Sequence, residues 1–302
     1  MILNSFCNRG LTNQDRPAEV EYIINGFLAK EVITLYFAPP KNGKSVLAFS
    51  LAKYVHENTT MRVQYFDFDN GVVALEDRGI FESLQDLKRF DYVHPEKVII
   101  EGKDILTELL KFTENGHKKF KNYFLIFDST TDFTDVESSR SVKRFMLNLK
   151  KLRNAGATIL LLHHMNKSEK GYEGSQVLIS ASDNIFKHSM VSETEKLSLF
   201  TQKKEYGRFK GVCDVGFSVS RGSYLLRLIP YETAVIDSDD QIVIDKALGV
   251  LKKGDGIGQT SLLVAMKYNK ADKRIIGILN KYLDRFWRIE KGLKNAKLYY
   301  KL

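Results

Sequence analysis

The sequence predicts an α/β fold, a mostly parallel sheet with helices on both faces, followed by a small C-terminal unit of three helices and a hairpin. Three observations predict it. An apolar strand-like run, a loop bearing lysine and glycine, and a periodic helix follow one another between Val32 and Val55. Further apolar runs, Met61–Phe68, Tyr123–Asp128 and Ala157–Leu162, end in or run into polar residues and alternate with amphipathic segments, as in a sheet buried on both faces. The composition then changes at Tyr231–Asp240, which is acidic and has no clear period, and a basic segment follows.

Residues 1–31 read as a leader, with a helix-like apolar rhythm from Arg16 to Leu28. The first strand, VITLYF, leads into Ala38-Pro39-Pro40-Lys41-Asn42-Gly43-Lys44-Ser45 and the helix that starts near Val46. The Gly-Lys-Ser ending is that of a phosphate-binding P-loop, with Ala38 standing where the pattern has its first glycine. The residue types suit the chemistry. N–H groups at a helix start face a polyphosphate, and the dipole there favours negative charge. Gly43 lets the main chain approach closely. Lys44 reaches the terminal phosphates of ATP, and Ser45 ligates Mg²⁺.

The second strand, from Met61, ends in Asp67-Phe68-Asp69-Asn70-Gly71. A carboxylate at a strand's carboxyl end lies where such sheets bind ligands, so Asp69 is a candidate to position or deprotonate a water. The alternative is a cap for the helix that follows, formed by VVALEDRGIFESLQDL. Lys97–Ile100 reads as a third strand, followed by a helix over 104–112. Tyr123–Asp128 reads as the fourth, ending in a carboxylate suited to hold Mg²⁺ through water near Ser45. Ser138–Ala155 is an amphipathic outer helix with Val142, Phe145, Met146, Leu149 and Leu152 on one face. The fifth strand ends in His163-His164, of which either can sense a γ-phosphate or serve as a turn residue. Lys167–Gln176 reads as a polar loop of the kind that projects into a pore or DNA channel. Leu197–Thr201 and Val212–Val219 read as antiparallel edge strands joined by a basic hairpin connection that holds Lys203.

The chain has 302 residues and a net charge of +9. From Gln241 to Leu302 there are 14 Lys and Arg against 5 Asp and Glu, so the whole excess sits in the last fifth. A basic appendage on a neutral body points to a polyanion, most often nucleic acid, or serves solubility alone. The appendage reads as helices over 242–251, from about Gly258, and over 270–286, then strands at Trp287–Ile289 and Lys297–Tyr300 about a Gly292–Asn295 turn. That is the order of a winged helix-turn-helix, a module that binds DNA or protein. Its candidate DNA contacts are Lys273, Arg274, Lys281, Arg285, Lys291 and Lys294. Cys7 and Cys213 match no metal spacing and fit a reducing compartment. The first residues lack a signal-peptide pattern, and no apolar run approaches the ~20 residues of a membrane helix, so a cytoplasmic protein is expected.

On these motifs the segment 16–230 resembles the RecA-like ATPases, and within them the RepA-type plasmid helicases and phage relatives similar to the DnaB motor. The pieces that carry the resemblance are APPKNGKS, YFDFDNGVVAL, LIFDST, LLHHMNK with GYEGSQVLIS, and KKEYG. The resemblance implies a ring, usually a hexamer, with ATP between subunits. It places Lys44 and Ser45 on phosphate and Mg²⁺, makes Asp128 the Walker B acid, sets Asp69 where the family has a catalytic glutamate, makes His164 or His163 the sensor, and gives Lys203 a trans-acting role. The family's arginine finger has no match here, only Lys204 and Arg208 nearby. The expected domains are a leader (1–31), a RecA-like ATPase (32–230), a linker (231–240) and a basic winged helix (241–302). The expected activity is a DNA helicase or translocase of plasmid or phage replication. The alternatives are an ATP-switched DNA-binding regulator or loader that does not unwind, and a RecA/RadA-like recombinase.

Overall fold

The alternation of apolar runs and amphipathic segments resolves into two compact units, divided between Ala234 and Val235. The structure, a computed structural model, describes residues 19–97, 101–113, 119–165, 173–194, 196–236, 238–251, 255–283, 286–292 and 296–301. The third expected strand (98–100), most of the polar loop (166–172), Arg285 and Lys294 lie outside them.

The first unit opens with a two-stranded hairpin, β1 (Tyr22–Ile24) and β2 (Leu28–Ala29). This corrects the helix-like reading of that segment. Gly26 at φ 80° turns the chain, and a Cβ there would lie 2.6 Å from the Cys213 sulfur. An Asn-Gly pair is a hairpin signal that outweighs a short apolar rhythm.

The main sheet has nine strands in the order β11-β10-β9-β8-β3-β7-β6-β4-β5. The six from β8 to β5 run parallel: β8 (Asn184–Glu193), β3 (Ile33–Ala38), β7 (Thr158–His164), β6 (Tyr123–Asp128), β4 (Arg62–Asp67) and β5 (Phe90–Val93). β9 (Leu197–Gly207), β10 (Val215–Ser220) and β11 (Leu226–Ile229) extend the sheet in antiparallel pairings. This α/β architecture fits a RecA-like core. Successive strand residues point to opposite faces. On β6, Phe124 and Ile126 join one apolar cluster, with Leu47, Leu51 and Val55 of α1 (Lys44–Asn58). Leu125 and Phe127 join the other, with Leu106 of α4 (Gly102–Lys111) and Phe145, Met146 and Leu149 of α6 (Ser139–Asn154).

Three further readings change. The helix expected after Asn70 is two pieces, α2 (Val72–Asp77) and α3 (Ile80–Leu84), broken where Gly79 takes φ 68°. The fifth strand includes both histidines. Lys203 lies in no hairpin connection: β9 continues through it to Gly207 and pairs it with Lys187 of β8. Beyond Gln202 β9 is paired on one side only, and such a stretch tolerates the polar residues that made it read as a loop. α5 (Thr130–Phe133) and α7 (Gln176–Ala181) complete the connections, and α8 (Tyr231–Ala234) closes the unit in what read as linker.

Asp183 ties these elements together. Its side chain is 1% exposed and is paired with Arg153 of α6 at 3.0 Å and Arg208 after β9 at 2.9 Å. It also accepts the N–H of Ile33 at the start of β3.

The second unit runs α9 (Ser238–Val250), β12 (Ile257–Gly258), α10 (Gln259–Ala265), α11 (Lys273–Lys281), β13 (Trp287–Lys291) and β14 (Lys297–Lys301). Its sheet has the order β12-β14-β13. Ile244, Ala247, Leu262, Leu263, Leu279, Trp287 and Tyr299 form its own core. The Trp287 indole N–H donates to the Leu279 carbonyl, 2.9 Å away, fixing the hairpin to α11. No helix among the described residues is long and apolar enough to cross a membrane.

Replacing Asp183 with Ala orphans a buried N–H and two guanidinium groups, both of which remain in reach of water. The expected loss is roughly 2–3 kcal/mol of stability, read as a lower thermal midpoint.

Candidate active site

The parallel strands deliver their carboxyl ends to one edge of the sheet, where such sheets bind ligands. The register sets Ala38 beside His164 and Asp67 beside Asp128. Between them the chain leaves β3 and turns into α1. Gly43 caps that helix at φ 70°, and Lys41 also has positive φ, 59°. A Cβ at Gly43 would lie 2.6 Å from the Phe200 ring, so both conformation and space require glycine.

The Lys44 side chain is buried and curls back over its own loop. Its ammonium donates to the carbonyls of Ala38 (3.2 Å) and Pro39 (3.1 Å) and to His164 Nδ1 (3.3 Å). Burial lowers its pKa, while Asp128 and Asp69 pull it back up. His164 is kept neutral by burial and by the Lys44 charge. His163 is more deeply buried, donates from Nε2 to the Glu173 carbonyl at 2.7 Å, and has its pKa lowered to about 4 by burial. Of the two histidines, His164 is the one brought to Lys44.

Asp128 is fully buried. Its Oδ2 accepts from the Tyr65 hydroxyl at 2.7 Å, and its Oδ1 has no hydrogen-bond partner among the described residues. Burial and the Asp67 carboxylate push its pKa well above the usual carboxylate range, and the Tyr65 and Ser45 hydroxyls hold it back. Asp67 is a scaffold. It receives the N–H groups of Asp69 and Asn70, the Asn70 amide and the Tyr92 hydroxyl. Tyr92 stacks on Tyr65 with ring centres 5.0 Å apart, so one aromatic pair supports both carboxylates. Asp69 is exposed at the mouth of the site, near enough to act electrostatically on Lys44, His164 and Asp128.

The sequence reading missed His188. It is fully buried on β8 and stacked between Tyr36 and Phe200, with centroids 5.3 and 5.4 Å away. Its Nε2–H donates to the Asn42 carbonyl at 2.7 Å, and its Nδ1 accepts from the Gln202 amide at 2.7 Å. The Asn42 side chain in turn accepts from the Met190 N–H at 2.6 Å. The phosphate-type loop is therefore pinned to β8 at two points. The available signal was a polar residue within the strand-like run Asn184–His188.

The remaining candidates are not part of this cluster. Lys203 is exposed on β9 and has no ion pair among the described residues. Lys204 donates to the Val212 carbonyl, and Arg208 is held by Asp183. In the second unit Lys273 and Lys291 are exposed, whereas Arg274 pairs with Asp239 at 3.3 Å and Lys281 with Asp240 at 2.6 Å.

A glycine-lysine-serine turn opening a helix, a buried carboxylate at the end of the strand two places along the sheet, and the lysine within its electrostatic reach define a P-loop ATPase. A family model described as an AAA domain matches residues 9–170, more than half of the 302-residue chain. The chain belongs to that family and is a P-loop, AAA-type ATPase. No curated protein matches the sequence. The family implies nucleotide binding, typically with Mg²⁺. The residues present fit such a pair: Asp128 keeps one buried oxygen unpartnered among the described residues, and Lys44 lies within electrostatic reach of it. No group of three or more His, Cys, Asp or Glu among the described residues could hold a metal alone. That suits Mg²⁺, which takes one or two protein oxygens and completes its shell with phosphates and water.

His188 makes acid stability a test of the loop's anchor. Burial lowers its pKa from about 6.5 to about 3, so the folded protein refuses a proton that the unfolded chain accepts. Stability attributable to His188 is present above pH 6.5 and falls as pH drops, by up to about 1.4 kcal/mol per unit. His188→Gln removes this term. Its thermal midpoint should fall less steeply than the parent's between pH 6.5 and 5, and its affinity for a fluorescent ATP analogue at pH 7.5 should drop several-fold. Equal acid slopes would exclude the assignment.

Proposed function

We propose that the chain is an ATP-dependent DNA helicase or translocase of plasmid or phage replication, hydrolysing ATP at the interfaces of a homo-oligomeric ring, with a hexamer favoured. The observation that carries the reading is Lys44, held at the sheet edge against His164 and within electrostatic reach of Asp128 and Asp69. A polyphosphate would exchange the lysine's contacts with Ala38, Pro39 and His164 for phosphate oxygens. N–H groups from Pro40's successors to Val46 would cradle it, at the positive end of α1. Ser45 and the free oxygen of Asp128 would hold Mg²⁺, the latter through water. Bound there, the ion would neutralise charge on the phosphates and polarise the transferred group.

The other roles belong to the chain's own side chains. Asp69, exposed at the mouth, would orient and deprotonate the attacking water. His164, kept neutral beside Lys44, would report whether the lysine is engaged by phosphate. Lys203 would act on a neighbour's nucleotide, which its exposure on β9 allows. The order helix, strand, helix, helix, hairpin in the second unit supports a winged helix, with Lys273, Arg274, Lys281, Arg285, Lys291 and Lys294 as DNA contacts. The Arg274–Asp239 pair is exposed and exchanges readily for phosphate, whereas Asp240, 12% exposed, holds Lys281 more firmly.

A second reading, an ATP-switched DNA-binding regulator or loader, is favoured by Asp69 and Arg208. Aspartate is one methylene shorter than glutamate, and Arg208 is already held within its own chain.

Lys44→Ala should abolish ATP turnover while preserving the fold. Retained turnover, with contaminants excluded, would remove the site assignment. ATP hydrolysis measured with and without single-stranded DNA, at two salt concentrations, separates the two readings. Stimulation that fades with salt is expected for a translocase. Binding of ATP with negligible turnover, indifferent to single strands, would favour the switch.

A further inference from the structure

Helix α6 carries six cations, Arg140, Lys143, Arg144, Lys150, Lys151 and Arg153, and no acidic residue. Its apolar face is buried against the sheet, and Arg153 is held by Asp183. The outer side borders a groove of about 1040 Å³ between α4 and α6. Five of the groove's lining residues are basic (Lys111, Arg140, Lys143, Arg144 and Lys151), and no acidic residue lines it among the described residues. Lys111 is paired with Glu108 at 2.6 Å. The other four are exposed and have no ion pair among the described residues.

Like charges crowded on one surface without counter-ions raise the free energy of the folded state unless a polyanion offsets them. At 1.5 Å per residue, Arg140 to Lys151 spans about 16 Å of helix. One nucleic-acid strand places a phosphate every ~3.4 Å of axis, so about five phosphates lie along that length. A cationic groove that follows a backbone is also the general form of a single-strand track.

We infer that the α4–α6 groove is a second nucleic-acid contact, on the ATPase unit itself, which grips the phosphate backbone of one strand independently of the basic second unit. The inference rests on the reading that the chain acts on nucleic acid.

The test is binding of the full chain to a 30-nucleotide single strand and the matching duplex, by fluorescence anisotropy between 50 and 200 mM salt. The variant is Arg140→Gln, Lys143→Gln, Arg144→Gln and Lys151→Gln combined. Glutamine keeps helix propensity, so the fold is expected to hold. Arg144→Glu alone is the second variant. Neither touches the nucleotide site, so ATP turnover without DNA should be unchanged.

Four lost phosphate contacts should lower the slope of log affinity against log salt by about 3, at 0.7–0.9 per contact. The affinity at 50 mM salt should fall at least about tenfold, more for the single strand than for the duplex. Arg144→Glu should move both in the same direction. A parent chain that binds DNA, with variants of unchanged slope and affinity, overturns the groove and leaves the DNA reading standing. A parent chain that binds neither DNA at 50 mM salt overturns both. Loss of polyglutamate binding in the variants with DNA binding intact would assign the groove to an acidic protein and overturn the inference.

Discussion

The hydrogen bond from His188 to the Asn42 carbonyl is the contact on which the nucleotide site depends. A loop that must present its N–H groups to phosphate cannot use them to fix its own shape, so its carbonyls and side chains must do so. His188 holds one carbonyl from a strand 146 residues away. The imidazole is wedged between Tyr36, which itself bonds the Lys44 carbonyl, and Phe200, whose ring also closes the space beside Gly43. The antiparallel extension of the sheet therefore bears directly on the loop.

The same economy governs the two buried carboxylates. Neighbouring strands place Asp67 and Asp128 side by side, an arrangement that desolvation and mutual repulsion both penalise. The protein satisfies one of them fully and leaves the other half-satisfied. Asp67 is saturated by N–H groups and the Tyr92 hydroxyl, whereas Asp128 Oδ1 has no hydrogen-bond partner among the described residues. Lys44 lies within electrostatic reach of this carboxylate. A buried carboxylate oxygen left without a partner is costly, and a bound cation would offset that cost.

Much of this was legible in the sequence because it depends on local pattern. The strand–loop–helix at Ala38–Val46, the strand ending at Asp128 and the helix from Ser139 to Asn154 each follow from periodicity and from residues with restricted conformations. The capping serine at Ser138 sits where the apolar pattern begins. The parts that escaped depend on distant partners. β5 is short and only half-buried, so its four residues carry little alternation. His188 and Gln202 are polar residues in strands, and their reason for being buried is each other and a loop carbonyl far away in sequence. Lys203 reads as loop by composition and is strand by pairing, because β8 supplies the ladder that its own polar residues do not advertise.

The run of β9 beyond Gln202 has a consequence for the protein's behaviour at high concentration. From Lys203 to Gly207 the strand pairs only with β8, because β10 begins at Val215 opposite Gln202. Such a one-sided ribbon is a template for another chain's strand and hence for amyloid-like stacking. Here it is guarded: Lys203, Lys204 and Glu205 are exposed along it, and the Lys204 N–H is already taken by the Asp214 carboxylate at 2.7 Å. The residues that made the stretch look unlike a strand are the ones that keep it from recruiting a stranger.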